Sequence, residues 1–367
     1  MHLLSMPLPS LMSLEVQSVD ENLHALRGSL ESVANSSPNL SHISISPHRS
    51  STAFNIFFSS YICWWNNLQT VECDSITLEA DAIVHLSRMP MLTRLAFVVS
   101  STLVEQITSS NSPNLFPNLN HLTLYSVFLG PISEFLSCIH LPTVLKLSVI
   151  IDSCPFKTDI SDFFASIKAS GICSAIQDLT FEQKIGPTGT LDLNGGENPC
   201  PVLAFEDLQP CMEYRDLCRI DFDVGWDVKL TSSDVLALTS TWPYLETLAI
   251  NRGWGWIVPS GITPDGLLQL LQTCPALAWI TLAIDTRGYT ECPQTLAASL
   301  GSTFPRQLSI NVVDSIIGAE SVQAVAAFFA AICNDVYCST IRREQVEQMA
   351  RWEDVGRLVR GAIGRGS

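Results

Sequence analysis

The sequence predicts an α/β solenoid, a stack of short strands and helices sharing one parallel sheet. Two patterns carry this. A Pro-x-apolar-x-x-apolar-x-apolar string recurs from one end of the chain to the other, and the segments between copies show the apolar spacing of helices. Composition agrees: of 367 residues, 47% are hydrophobic and 15% charged, ample for a continuous core.

The string is clearest at Pro243 with Leu245, Leu248 and Ile250, at Pro117 with Leu119, Leu122 and Leu124, and at Pro275 with Leu277, Ile280 and Leu282. Further copies are Pro9 with Leu11, Leu14 and Val16; Pro38 with Leu40, Ile43 and Ile45; Pro90 with Leu92, Leu95 and Phe97; and Pro142 with Val144, Leu147 and Val149. Three copies lack the proline: Leu68, Val71, Cys73; Ile176, Leu179, Phe181; and Leu217, Ile220, Phe222. A last one, Pro305 with Leu308 and Ile310, is a residue short. Successive full copies begin 24 to 41 residues apart, most of them near the ~20–29-residue period of leucine-rich repeats. The last two apolar residues, two apart, point to one face of a short strand.

Helices are expected between the strings at 78–89, 132–139, 159–170, 231–239, 263–272 and 320–332. The segments at 231 and 263 open with Thr and carry an acid in the first turn, a helix-start signal. One such coil cannot bury its apolar face alone, so the coils must stack. The expected architecture is a leucine-rich-repeat-like horseshoe over residues 1–340, about eleven coils with a parallel concave sheet and outer helices. Residues 341–367 are expected to form an amphipathic C-terminal capping helix and tail. Met349, Trp352, Val355, Val359 and Ile363 recur every three or four residues there. The segment 186–201 (GPTGTLDLNGGENPCP) reads as an inserted hairpin or loop in the longest coil.

These irregular coils, the linking phrases TWPYLETLAI and TCPALAWITL, and the closing Trp352 helix resemble the leucine-rich-repeat region of fungal F-box proteins. The resemblance implies a protein–protein interaction module, the substrate-recognition part of an F-box subunit of a cullin-type ubiquitin ligase. The first repeat begins at Pro9, which leaves no room for an F-box, so a ligase adaptor is an expected partner only if an F-box lies upstream. A stand-alone repeat scaffold and a fragment of a longer F-box protein are the alternatives. The chain departs from the repeat consensus at its ninth position, where an asparagine ladder is replaced by residues such as Ser100, Val127, Gly225, Gly253 and Asp285. Turn hydrogen bonds are therefore expected to be supplied case by case.

Charge narrows the partner. A net of −16, with a pI near 4.7, argues against nucleic acid and anionic membrane surfaces. Six arginines and four acids give residues 341–367 a local +2, so the body carries −18. No window has the length and apolarity of a membrane span, and residues 1–14 lack the basic front of a signal peptide. An intracellular protein, cytoplasmic or nuclear, is expected, with its twelve cysteines as reduced core thiols.

No P-loop, GxGxxG, GxSxG or HExxH string occurs. All seven histidines lie within the first 140 residues, and His42 and His121 share a repeat position several coils apart, too distant to share a metal. Asp221, Asp223 and Asp227 imitate the start of a calcium loop but lack its third ligand and closing Glu, and read as a solvated acidic strand face. No catalytic residue, cofactor or metal is expected, and no enzyme.

Partner-binding candidates cluster in three consecutive coils, where long loops follow the strands and stacking sets them side by side. They are Arg219, Asp221, Asp223, Trp226, Asn251, Trp254, Trp256, Trp279 and Tyr289, and they favour a protein partner on the concave face and C-terminal loops. The other reading is that the loops fold back and the tryptophans cover their own backbone.

Overall fold

The second apolar residue of every triplet lies inside a strand, and from Ile43 onward each is buried, because a residue held between two neighbouring coils loses contact with water. This computed structural model describes residues 11–17, 23–46, 51–109, 116–184, 201–256, 259–293, 307–339 and 346–363. Most of the 186–201 segment lies outside these residues, as do the first ten residues and 340–345. The chain divides into two compact units, Met1–Ile176 and Gln177–Ser367.

In the first unit the strands are β1 (Ser13–Gln17), β2 (His42–Ser46), β3 (Thr70–Thr77), β4 (Arg94–Val98), β5 (His121–Ser126) and β6 (Lys146–Ile151). They pair in parallel and in chain order. The register places Leu14, Ile43, Val71, Leu95, Leu122 and Leu147 side by side, so the second triplet position becomes one apolar row through the sheet. Helices Leu23–Ser36, Thr52–Ile62, Ala80–Ser87, Ser101–Ser109, Leu129–Cys138 and Lys157–Ser170 alternate with the strands. They close over the apolar rows; Phe135, for example, meets Phe97 of β4 edge-on at 5.4 Å between centroids.

The coils are joined by a device that owes nothing to side-chain identity. One carbonyl at each strand entrance accepts two successive amides from the next coil. Gln69 and Thr70 donate to Ser41, Thr93 and Arg94 to Gln69, Asn120 and His121 to Thr93, and Leu145 and Lys146 to Asn120. Strand entry is therefore regular, with the Ser41 and Thr93 hydroxyls adding bonds to the Met12 and Gln69 carbonyls.

The second unit repeats the plan with β7 (Asp178–Gln183), β9 (Arg219–Asp223), β11 (Thr247–Ile250), β12 (Trp279–Thr281), β13 (Ser309–Asn311) and β14 (Asp335–Tyr337), again parallel. Leu179, Ile220, Leu248, Ile280, Ile310 and Val336 form its apolar row. Two details differ from the sequence reading. The incomplete copy is shifted: Ile310 stands beside Ile280, so its anchors are Ile310 and Val312, both fully buried. Beyond it β14 adds a coil that the pattern search passes over, because Cys333 and Cys338 flank Val336 where apolar residues would be sought. The two short strands β8 (Val202–Leu203) and β10 (Asp227–Val228) pair separately, so part of the loop after β9 is itself ordered by pairing.

The helices here are Phe205–Leu208, Ser232–Thr239, Pro264–Thr273, Val322–Ile332 and Val346–Ile363. Thr231 caps the second of them, accepting from the Asp234 amide while the Asp234 carboxylate accepts from the Thr231 amide. Thr263 caps the third by accepting from Gly266. The amphipathic Val346–Ile363 helix lies against Val322–Ile332 and β14. Its Trp352 meets Phe329 at 5.7 Å and donates its indole N–H to the Ser315 carbonyl at 2.9 Å. Cys73, Cys211, Cys274 and Cys333 are buried, while Cys154 is exposed and the other described cysteines are half-buried, so the expectation of core thiols holds for only part of them; burial pushes the Cys333 thiol up to about 12, which makes it inert. No described helix is long and apolar enough to cross a membrane.

Candidate functional site

Strand register decides which side chains of the second unit share the sheet face opposite the apolar rows. Asp178, Arg219, Thr247, Trp279, Ser309 and Asp335 align in one row across it. Thr180, Asp221, Ala249, Thr281, Asn311 and Tyr337 align in the next. Ala249 is the small member of that second row, and around it lies a depression of about 610 Å³. Arg219, Asp221 and Arg252 line one side of it and Trp279 and Tyr337 the other. Trp279 is 40% exposed, its ring 6.1 Å from that of Tyr337, and its indole N–H donates to Thr281 Oγ1.

The candidates divide accordingly. Arg219, Asp221 and Trp279 come together at the depression. Trp226, Asn251 and Trp256 do not, because the loops fold inward. Trp226 and Trp256 are buried, and the Trp256 indole donates to the Ile250 carbonyl at 2.9 Å. Asn251 is wholly buried in a left-handed conformation (φ 51°), accepting from the Val224 amide and donating to the Trp226 and Gly255 carbonyls. It performs the turn-bridging work of the missing asparagine ladder, two residues ahead of the consensus place. Gln183, Asp314 and Ser315 act likewise, accepting from the amides of Gly225, Trp256 and Ile284. Trp254 is half-buried with its indole on the Gln183 carbonyl, and Tyr289 is packed edge-on against Phe328.

Asp221 and Asp223 are not a solvated face. Both are buried, because the side chains of neighbouring coils roof them over. Arg252 reaches across, with Nε 3.5 Å from Asp221 and 3.7 Å from Asp223 and its terminal nitrogen bonded to Glu182. Arg219 lies 3.7 Å from Asp221 and 3.9 Å from Asp178. Burial raises both aspartates, pushing Asp223 up to about 6 even though both its oxygens accept from the Gly253 amide. Two guanidinium groups thus serve four carboxylates.

Arg252 and Tyr337 were missed by sequence reasoning. Arg252 sits just past the strand, where periodicity gives no direction, and Tyr337 lies on the strand masked by its flanking cysteines. On the first unit, His42 and His121 do share a row, separated by Thr70 and Arg94. That places them three strand spacings apart, roughly 14 Å.

No protein-family profile and no curated protein matches the chain. Among solved structures, the chain is similar to the leucine-rich repeat-containing protein LegL7 from Legionella pneumophila, at 14% identity and a TM-score of 0.36 over 95% of this chain and 90% of that one.

Proposed function

We propose that the chain is a protein-interaction module that takes its partner on the face of the second unit's sheet opposite the apolar row and binds without catalysing. The observation that carries this is the depression around Ala249, where a part-exposed Trp279 and Tyr337 lie beside arginine and carboxylate groups. Trp, Tyr and Arg are the residue types that dominate binding energy at protein interfaces. The finer reading is that the module selects substrates as part of an F-box-type ubiquitin-ligase subunit inside the cell, in the cytoplasm or nucleus. The resemblance of the coils to fungal F-box repeats supports it.

The test replaces Trp279 with a photo-crosslinking amino acid in the full chain, and Tyr244, which is 62% exposed outside the depression, in a control. The expected result is a covalent partner adduct from position 279 and none from 244. An adduct from position 244 alone contradicts the assignment. Recovery of a ligase adaptor with the longest gene product supports the finer reading; a partner adduct without an adaptor supports a stand-alone scaffold.

A further inference from the structure

The acceptors of the depression are spent and its donors are not. Asp221 Oδ1 is buried and ion-paired to Arg252, and Thr281 Oγ1 takes the Trp279 indole. Asn311 Oδ1 takes both the amide and the hydroxyl of Ser339, at 3.1 and 3.0 Å. The Ser339 amide can only donate, so it fixes which end of the Asn311 carboxamide is oxygen. Among the described residues, the Asn311 amide nitrogen is left without an acceptor, on a residue that lines the depression and is 6% exposed. Arg219 makes no hydrogen bond among the described residues, its carboxylate neighbours standing at 3.7 and 3.9 Å, and its side chain is 45% exposed. Arg252 is equally open and spends one terminal nitrogen on Glu182. Donors left unpaired in a partly desolvated site favour an arriving acceptor.

We propose that this depression receives an uncharged, proline-rich segment of the partner, its backbone carbonyls accepting from Arg219, Arg252 and Asn311 and its rings lying on Trp279 and Tyr337. The proposal rests on the protein-binding reading of this face and adds the chemistry of its occupant. Charge disfavours both signs. A basic side chain meets two guanidinium groups and no open acceptor. An acidic one meets a cluster in which Asp178, Glu182, Asp221 and Asp223 already outnumber the two arginines, on a chain of net −16. A carbonyl takes the free donors and brings no charge. Proline suits such a site because it offers a backbone acceptor and no N–H, which would find no acceptor here. Its ring packs on aromatic side chains, and the polyproline helix leaves its carbonyls unpaired and is extended before it binds. Spacing agrees: Arg219 and Trp279 lie two strands apart in one row, roughly 10 Å, and one turn of polyproline helix rises roughly 9 Å.

The test titrates the full chain, by fluorescence anisotropy, with fluorescein-labelled decaproline, a glycine–serine peptide of equal length, and decaproline with one central residue changed to glutamate or arginine. Decaproline should bind, and the glycine–serine peptide at least about tenfold more weakly. Trp279→Ala and Arg219→Gln should each weaken decaproline by about tenfold while circular dichroism shows an intact fold. If Arg219→Gln fails to fold, Trp279→Ala, at a part-exposed ring, decides alone. Arg94→Gln, on the first unit's sheet, should leave binding unchanged. Equal binding of the glycine–serine peptide would overturn the proposal, as would tighter binding of the glutamate or arginine peptide, or equal weakening by Arg94→Gln. If decaproline fails to bind while the crosslinker at position 279 still captures a partner, the proline occupant is refuted and the binding face stands.

Discussion

Trp256→Ala is expected to destabilise the chain by about 3–5 kcal/mol, a large share of the stability of an ordinary domain. The indole is fully buried and its N–H bonds the Ile250 carbonyl. Its own backbone amide donates to the carboxylate of Asp314, a fully buried residue in the left-handed region. Truncation empties a ring-sized cavity and strips the Ile250 carbonyl of its donor. Trp256→Phe keeps most of the volume and loses the bond, so it should cost about 1–2 kcal/mol. Urea unfolding of both variants checks the order. A loss below about 1 kcal/mol for the alanine variant would mean that the ring is not part of the core.

Asn251→Ala ranks beside it, at about 3–5 kcal/mol. The side chain holds three buried backbone groups, the Val224 amide and the Trp226 and Gly255 carbonyls, which no water can reach to replace it. The backbone adds a second cost, because alanine tolerates φ 51° poorly. Asn251→Gly separates the two, since it relieves the backbone and still forfeits the bonds; it should recover about 1 kcal/mol of the alanine loss. Equal stability of the glycine variant and the unsubstituted chain would show that the bridge contributes nothing.

The fold was legible because its signal is repeated and apolar. Leu14, Ile43 and Val71 each look ordinary alone, yet the same spacing recurring along the chain can be satisfied only by stacking. The coil of β14 escaped because Cys333 and Cys338 occupy apolar places, although Cys73 already shows cysteine in that role. Helix Thr52–Ile62 carries no helical signal in the sequence, because apolar residues at 53, 54, 56, 57, 58, 61 and 62 leave no single stripe to follow.

The candidate site was half legible. Spacing placed Arg219, Asp221 and Trp279 on one sheet face correctly, since period two within a strand fixes direction. It gave no direction to residues beyond the strand ends, so Arg252 was overlooked. Asn251 and Trp256 carried the composition of a binding surface while serving the loop interior. Burial of Asp221 and Asp223 was equally hidden, because it depends on what neighbouring coils lay over them.

The central claim is that the loops of the second unit close over their own tryptophans while the sheet face at Trp279 stays open. Hydroxyl-radical footprinting of the native chain, read tryptophan by tryptophan by mass spectrometry, tests it most directly. Trp279 should oxidise several-fold faster than Trp226 and Trp256, which should match buried Trp352. Oxidation of Trp226 or Trp256 at the rate of Trp279, or protection of Trp279 to the level of Trp352, would contradict it.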